Sequence, residues 1–126
     1  MKIHIEITRG ALESRGVSGA DGASGAVIEF AGIVRSEEEG AAIAALDYEA
    51  YEPMARSEMG RIARELSAQY PCQVVEIIHR IGRVPVGEAS IVVRIEAKHR
   101  VEAFGMLAEF MDRMKSDVPI WKRVSS

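Results

Sequence analysis

Two segments of helical periodicity, set among segments that alternate or are β-branched, constrain this chain more than any other feature. Over 53–70, Ala55, Met59, Ile62, Ala63 and Leu66 recur at helical spacing, and Pro53 stands in the first turn, where a missing N–H costs nothing. Over 99–117, "HRVEAFGMLAEFMDRMKSD", the residues Val101, Phe104, Leu107, Ala108 and Met111 form one stripe, which is expected to face the core. Elsewhere the period changes to two. "KIHIEIT" sets Ile3, Ile5 and Ile7 against Lys2, His4 and Glu6, which leaves His4 solvated. "AVIEFAGIV" (26–34), "AIAALDYEAY" (42–51), "QVVEIIHRIG" (73–82) and "ASIVVRIEA" (89–97) also predict strands. "RSEEEG" (35–40) is expected to join 26–34 and 42–51 as a hairpin, with Glu37, Glu38 and Glu39 as a solvated, mobile tip. "RVPVGE" (83–88) is expected to be a loop, and "VPIWKRV" (118–124) a short terminal strand or extended tail. Strands, helix, strands, helix and tail predict an α+β fold with a mixed, largely antiparallel sheet and two main helices.

The length, 126 residues, fits a single domain over 1–126 that buries a core without metals or disulfides. A net charge of -3 argues against broad nucleic-acid binding. The alternating N-terminus is not a signal peptide, and no apolar run reaches the roughly 20 residues a membrane span needs, so no membrane association and a cytoplasmic location are expected. Cys72 is alone, which excludes an intrachain disulfide and fits a small buried residue. His4, His79 and His99 are far apart in sequence with no paired cysteine or HExxH pattern, so no metal site is expected. The glycine-rich "GVSGADGASGA" (16–26) lacks the Lys-Ser/Thr of a phosphate loop and is a connector.

Charge is more informative where it is concentrated. Lys98, His99 and Arg100 occupy a strand-to-helix junction, where the helix dipole disfavours cations but free backbone N–H groups can bind an anion. Outward-pointing basic side chains with His99 as a cap explain the same residues equally well. The chain has only four lysines, and two of them, Lys115 and Lys122, bracket "SDVPIW". Lys115 lies four residues after Met111, at the end of the apolar stripe, where partial desolvation would suit a base or nucleophile and the helix dipole would suit any cation. Lys122 follows Trp121 in an extended segment, so the two point to opposite sides; if Trp121 is buried, Lys122 faces outward or into a cleft. Arg35 ends a strand in which Gly32 permits close backbone approach.

The chain resembles the large, catalytic subunit of molybdopterin synthase. The motifs are "GAVIEFAGIVR" (25–35), "LDYEAYEPMA" (46–55), "IIHRIGRVPVGE" (77–88), "AKHRVEAF" (97–104) and "MDRMKSDVPIWKR" (111–123), in order from Gly25 onward. The resemblance implies an α/β-hammerhead fold and a central homodimer within a heterotetramer. It implies a small ubiquitin-like sulfur carrier with a C-terminal Gly-Gly as partner, and cyclic pyranopterin monophosphate as substrate. The activity implied is sulfur transfer from the carrier's thiocarboxylate, forming the molybdopterin dithiolene without a cofactor. Carried over by motif, Lys115 and Lys122 are catalytic, and Arg35, His99, Arg100 and Met111 bind substrate. Ile33 and Val124 depart from the family, where lysine and glutamate are common, and many members continue well past this point. A relative that only binds the carrier tail is the alternative. A helix rising about 1.5 Å per residue sets His99 roughly 24 Å from Lys115. Either two subunits share each site, or the tail folds back along the helix and carries Lys122 towards His99.

Overall fold

The computed structural model describes residues 1–14 and 22–125, so most of the glycine-rich connector lies outside the described residues. In chain order the elements are β1 (Lys2–Thr8), β2 (Ala26–Ile33), β3 (Glu37–Glu38), β4 (Ala41–Ala42), β5 (Ala45–Ala50), α1 (Glu52–Leu66), β6 (Val74–Arg80), β7 (Gly82–Pro85), β8 (Ala89–Ala97), α2 (Arg100–Asp117) and β9 (Ile120–Ser125). A four-stranded sheet has the order β1-β6-β8-β2, and a three-stranded sheet the order β7-β5-β9. Only β1 and β6 run parallel; the other pairs are antiparallel. The α+β architecture with two main helices is therefore as the periodicity predicts.

The main core lies where alternate residues of the larger sheet meet the two helices. Val75 and Ile77 of β6 and Ile91, Val93 and Ile95 of β8 pack with Met59 and Ile62 of α1 and Met106 and Phe110 of α2. All five apolar positions predicted to line the inner face of α1 are buried. The helix ends at Leu66 rather than near Tyr70. Its last turn tightens as Gln69 N–H and Tyr70 N–H both donate to the Leu66 carbonyl, and Pro71 follows. Cys72 is buried, as expected.

Three sequence expectations need correction. The inner face of α2 is Ala103, Met106, Phe110 and Met114, whereas Val101 and Phe104 are 68% and 58% exposed. Both rows are apolar, and periodicity cannot say which of two adjacent apolar rows meets the sheet. Second, 26–34 and 42–51 do not pair: β2 lies against β8 and β5 against β7 and β9. "RSEEEG" instead contributes to its own small hairpin, β3–β4, turned by Glu39 (φ 51°) and Gly40 (φ 81°). Consecutive positive φ values match the right-handed twist of a tight hairpin. Third, "RVPVGE" is not all loop. Val84 is fully buried opposite Leu46, and Pro85 is tolerated because β7 is an edge strand.

Candidate active site

A cleft of about 470 Å³ opens where the end of α2 meets both sheets. Met111 and Lys115 reach it from successive turns of α2, Trp121 and Lys122 from β9, Tyr48 from β5 and His79 from β6. No carboxylate lines it among the described residues, and its cations are two lysines.

Local sequence explains this convergence. Met114 and Val118 are buried and joined by the Val118 N–H to Met114 carbonyl bond (3.1 Å), which closes α2. Pro119 then blocks further helix. Ile120 packs on the core, and β9 runs against β5 with Lys122 opposite Tyr48 and Trp121 opposite Glu49. Val118 and Ile120 are thus the apolar anchors. Trp121 is not buried but half exposed on the cleft wall, and Lys122 lines the same cleft. On the opposite wall β2 shifts register against β8 between Gly32 and Ile33. A Cβ on Gly32 would lie 2.8 Å from Ile91 Cγ2, so the close approach read from the sequence is real.

The lysines differ in their surroundings. Lys115 is exposed, on the last turn of α2, and not desolvated as its place after Met111 suggested. The register error on α2 explains this: Lys115 continues the outward row of Phe104, Ala108 and Met111. Lys122 Nζ lies 3.5 Å from Glu38 Oε1, so the acidic tip is partly engaged rather than wholly solvated.

His79 is the residue that sequence reasoning passed over, although a signal was present. It follows Val75 and Ile77 at period two, which places it on the apolar face of β6. It is 4% exposed, stands edge-on to Tyr48 with ring centroids 5.2 Å apart, and its Nδ1 is 2.8 Å from the Arg80 carbonyl. A carbonyl only accepts, so Nδ1 carries hydrogen and the neutral ring has its lone pair on Nε2. Burial holds the imidazole below its ordinary pKa, and the Arg80 hydrogen bond opposes this in part.

Of the sequence-predicted residues, the structure brings Lys115, Lys122 and Met111 together. Arg35, His99 and Arg100 do not line the cleft; all three are exposed. His99 occupies the N-cap position of α2 without a capping hydrogen bond, its Nδ1 3.3 Å from Glu102 Oε1. Because β9 pairs with β5, Lys122 stands with Lys115 at the C-terminal end of α2, and the tail does not fold back to His99.

A family model described as "MoaE protein" matches residues 6–117. A "Molybdopterin synthase catalytic subunit" from Drosophila mojavensis is 39% identical over 123 residues, 95% of this chain and 34% of that protein. A human protein of the same description is 37% identical, over 79% of this chain and 53% of its own length. One from Pyrococcus abyssi is 45% identical, over 79% of this chain and 68% of its own. The chain therefore spans about a third to about two thirds of these relatives' lengths. The crystal structure of molybdopterin synthase from Staphylococcus aureus has a TM-score of 0.85 at 29% identity, covering 95% of this chain and 89% of that one. A complex of subunits 1 and 2 of molybdopterin-converting factor from Helicobacter pylori has a TM-score of 0.79 at 25% identity, covering 95% and 83%.

Proposed function

The chain belongs to the MoaE family, that of molybdopterin synthase catalytic subunits, and on that premise we propose that it is a sulfurtransferase of molybdenum cofactor biosynthesis. The sulfur donor is the thiocarboxylated C-terminal glycine of a small ubiquitin-like carrier. The acceptor is cyclic pyranopterin monophosphate, and the product is the molybdopterin dithiolene. The observation that carries this reading is the meeting of Lys115 and Lys122, from separate elements, in one cleft lined by no carboxylate. A thiocarboxylate is an anion, and attack at the carbonyl of the acyl thioester it forms on the acceptor develops negative charge on oxygen; two preorganised ammonium groups favour both. Met111 supplies apolar wall beside them. No cofactor is needed for these steps.

Arg35, His99 and Arg100 serve the phosphate-bearing substrate in this reading. Roughly 24 Å of helix separates His99 from Lys115 in one chain, so each site is built from two subunits. The uncovered row of Val101 and Phe104 beside His99 supports a homodimer, since exposed apolar rows of this kind favour burial between chains. With one carrier per subunit the assembly is a heterotetramer; the Helicobacter pylori relative is a two-subunit complex. The lone buried thiol of Cys72 suits the reducing cytoplasm, where we place the reaction, carried by one domain over 1–126.

The deciding experiment incubates the protein with thiocarboxylated carrier and cyclic pyranopterin monophosphate and follows pterin sulfuration by mass spectrometry. Sulfurated pterin is expected. Carrier binding without sulfuration would assign the chain to carrier recognition alone. Mixing Lys115→Ala with His99→Ala chains tests the shared site: exchanged dimers should regain one intact pocket and with it activity.

A further inference from the structure

Moving sulfur from an acyl group to a carbon acceptor requires two bond changes. Sulfur first bonds to an electrophilic carbon of the acceptor while still bound to the acyl carbon, the electron pair displaced at that carbon staying on an acceptor oxygen, which makes a thioester. The acyl carbon must then pass to another nucleophile, and the one always at hand is water. Neutral water attacks a thioester slowly without a base to take its proton, and a base poised near neutrality serves best. Lys115 and Lys122 are cations suited to anions, and no carboxylate lines the cleft among the described residues.

We propose that His79 is that base, a catalytic residue of acyl-thioester hydrolysis that takes a proton from water through Nε2. The inference rests on the sulfur-transfer reading above. Its ground is geometric. His79 lines the cleft that holds both lysines, its Nδ1–H is spent on the Arg80 carbonyl, and Tyr48 fixes the ring by edge contact. That leaves Nε2 as the acceptor nitrogen of the neutral ring. Water oxygen bonds to the acyl carbon as its proton moves to Nε2. The carbon–sulfur bond then breaks, and its electron pair leaves with sulfur as the acceptor's thiolate. The new carboxylic acid gives its own proton to bulk solvent, and the carrier departs as a carboxylate.

Burial keeps the ring neutral and ready at neutral pH. The other titratable groups lining the cleft are Tyr48 from β5, Lys115 from α2 and Lys122 from β9. Burial disfavours the imidazolium, so the proton taken up is readily returned to solvent.

The test is a rapid-quench single turnover with thiocarboxylated carrier and cyclic pyranopterin monophosphate, read by intact mass. His79→Asn keeps a donor for the Arg80 carbonyl and removes the Nε2 base. It should form the carrier–pterin thioester within a few-fold of the wild-type rate and hydrolyse it on the order of 10²-fold more slowly, so that the adduct accumulates. Hydrolysis at the wild-type rate without accumulation would overturn the proposal, and so would loss of adduct formation itself in a folded variant. Should His79→Asn not fold, the wild-type hydrolytic phase decides: its rate must fall with decreasing pH through a group titrating below ordinary histidine, and a flat profile there overturns the assignment. A wild-type protein that sulfurates no pterin removes the underlying reading as well; a wild-type protein that does, with an unaffected variant, removes only His79.

Discussion

Lys122 Nζ of β9 lies 3.5 Å from Glu38 Oε1 of β3, so a strand of two residues holds a lysine of the cleft. The pair is partly exposed, which limits its worth to stability to about 1 kcal/mol or less. Its effect on an anion competing for Lys122 is larger in proportion. Glu38→Gln should leave the melting temperature nearly unchanged and lower the apparent KM for the thiocarboxylated carrier a few-fold, most clearly at low ionic strength. An unchanged or raised KM would show that Glu38 orients Lys122 instead of competing for it.

Lys115 is exposed on the final helical turn, so its removal should not unfold the protein. Lys115→Ala should lose on the order of 10²-fold or more in single-turnover sulfur transfer, the usual cost of one preorganised electrostatic group. Lys122→Ala should lose less if it mainly holds the carrier tail. Near-normal turnover in Lys115→Ala would remove this lysine from the chemistry.

Gly105 of α2 faces the ring of Tyr70, whose hydroxyl donates to Glu109 Oε1 at 2.7 Å. A Cβ at Gly105 would fall 2.2 Å from Tyr70 Cε1. Gly105→Ala gains roughly 1 kcal/mol of helix propensity, against about 1–3 kcal/mol of overpacking. Net destabilisation is expected by urea denaturation. In a Tyr70→Ala background the sign should reverse, because only the propensity gain remains. The same sign in both backgrounds would exclude the ring as the obstacle.

His79 also makes stability depend on pH. Its folded-state pKa is depressed by burial, so the unfolded chain binds its proton first as pH falls. The contribution is fully present above the ordinary value of 6.5 and is lost as pH drops from there through the depressed folded value. Chemical denaturation across that window should show a slope toward lower stability in acid. His79→Asn should flatten the part due to this group, and an unaltered slope would assign it elsewhere.

Cys72 offers a check on the core. Burial, helped by the nearby Glu102 carboxylate, pushes its thiol up to about 11. Thiolate is the reactive form, so a disulfide reagent should modify native protein far more slowly than urea-unfolded protein at the same pH. Rapid native labelling would mean that the end of α1 opens readily.

The first helix was legible because a single apolar row, Ala55 to Leu66, stands against charged neighbours. The second helix offered two apolar rows side by side, and the choice between them depends on a sheet that periodicity cannot place. That one-row error also placed Lys115 in a desolvated setting it does not have. "RVPVGE" (83–88) reads as loop because Pro85 and Gly87 interrupt it, yet β7 lies at a sheet edge, which removes the penalty for proline. The lysines of the candidate site were found by their scarcity and by motif. His79 belongs to no metal-ligand pattern, although its register with Val75 and Ile77 already places it inward.

Lys2 stands opposite Val74 in the parallel pairing of β1 with β6. A partner so distant along the chain cannot be reached by closing a short loop. During synthesis Ile3, Ile5 and Ile7 emerge before β6 and lack that partner until β6 has been made. In that interval the nascent chain displays a β-branched apolar row that can pair with any other exposed edge. β8, by contrast, has neighbours on both sides and can assemble with β6 by local closure. Completing the larger sheet therefore requires β1 to return to strands made after it.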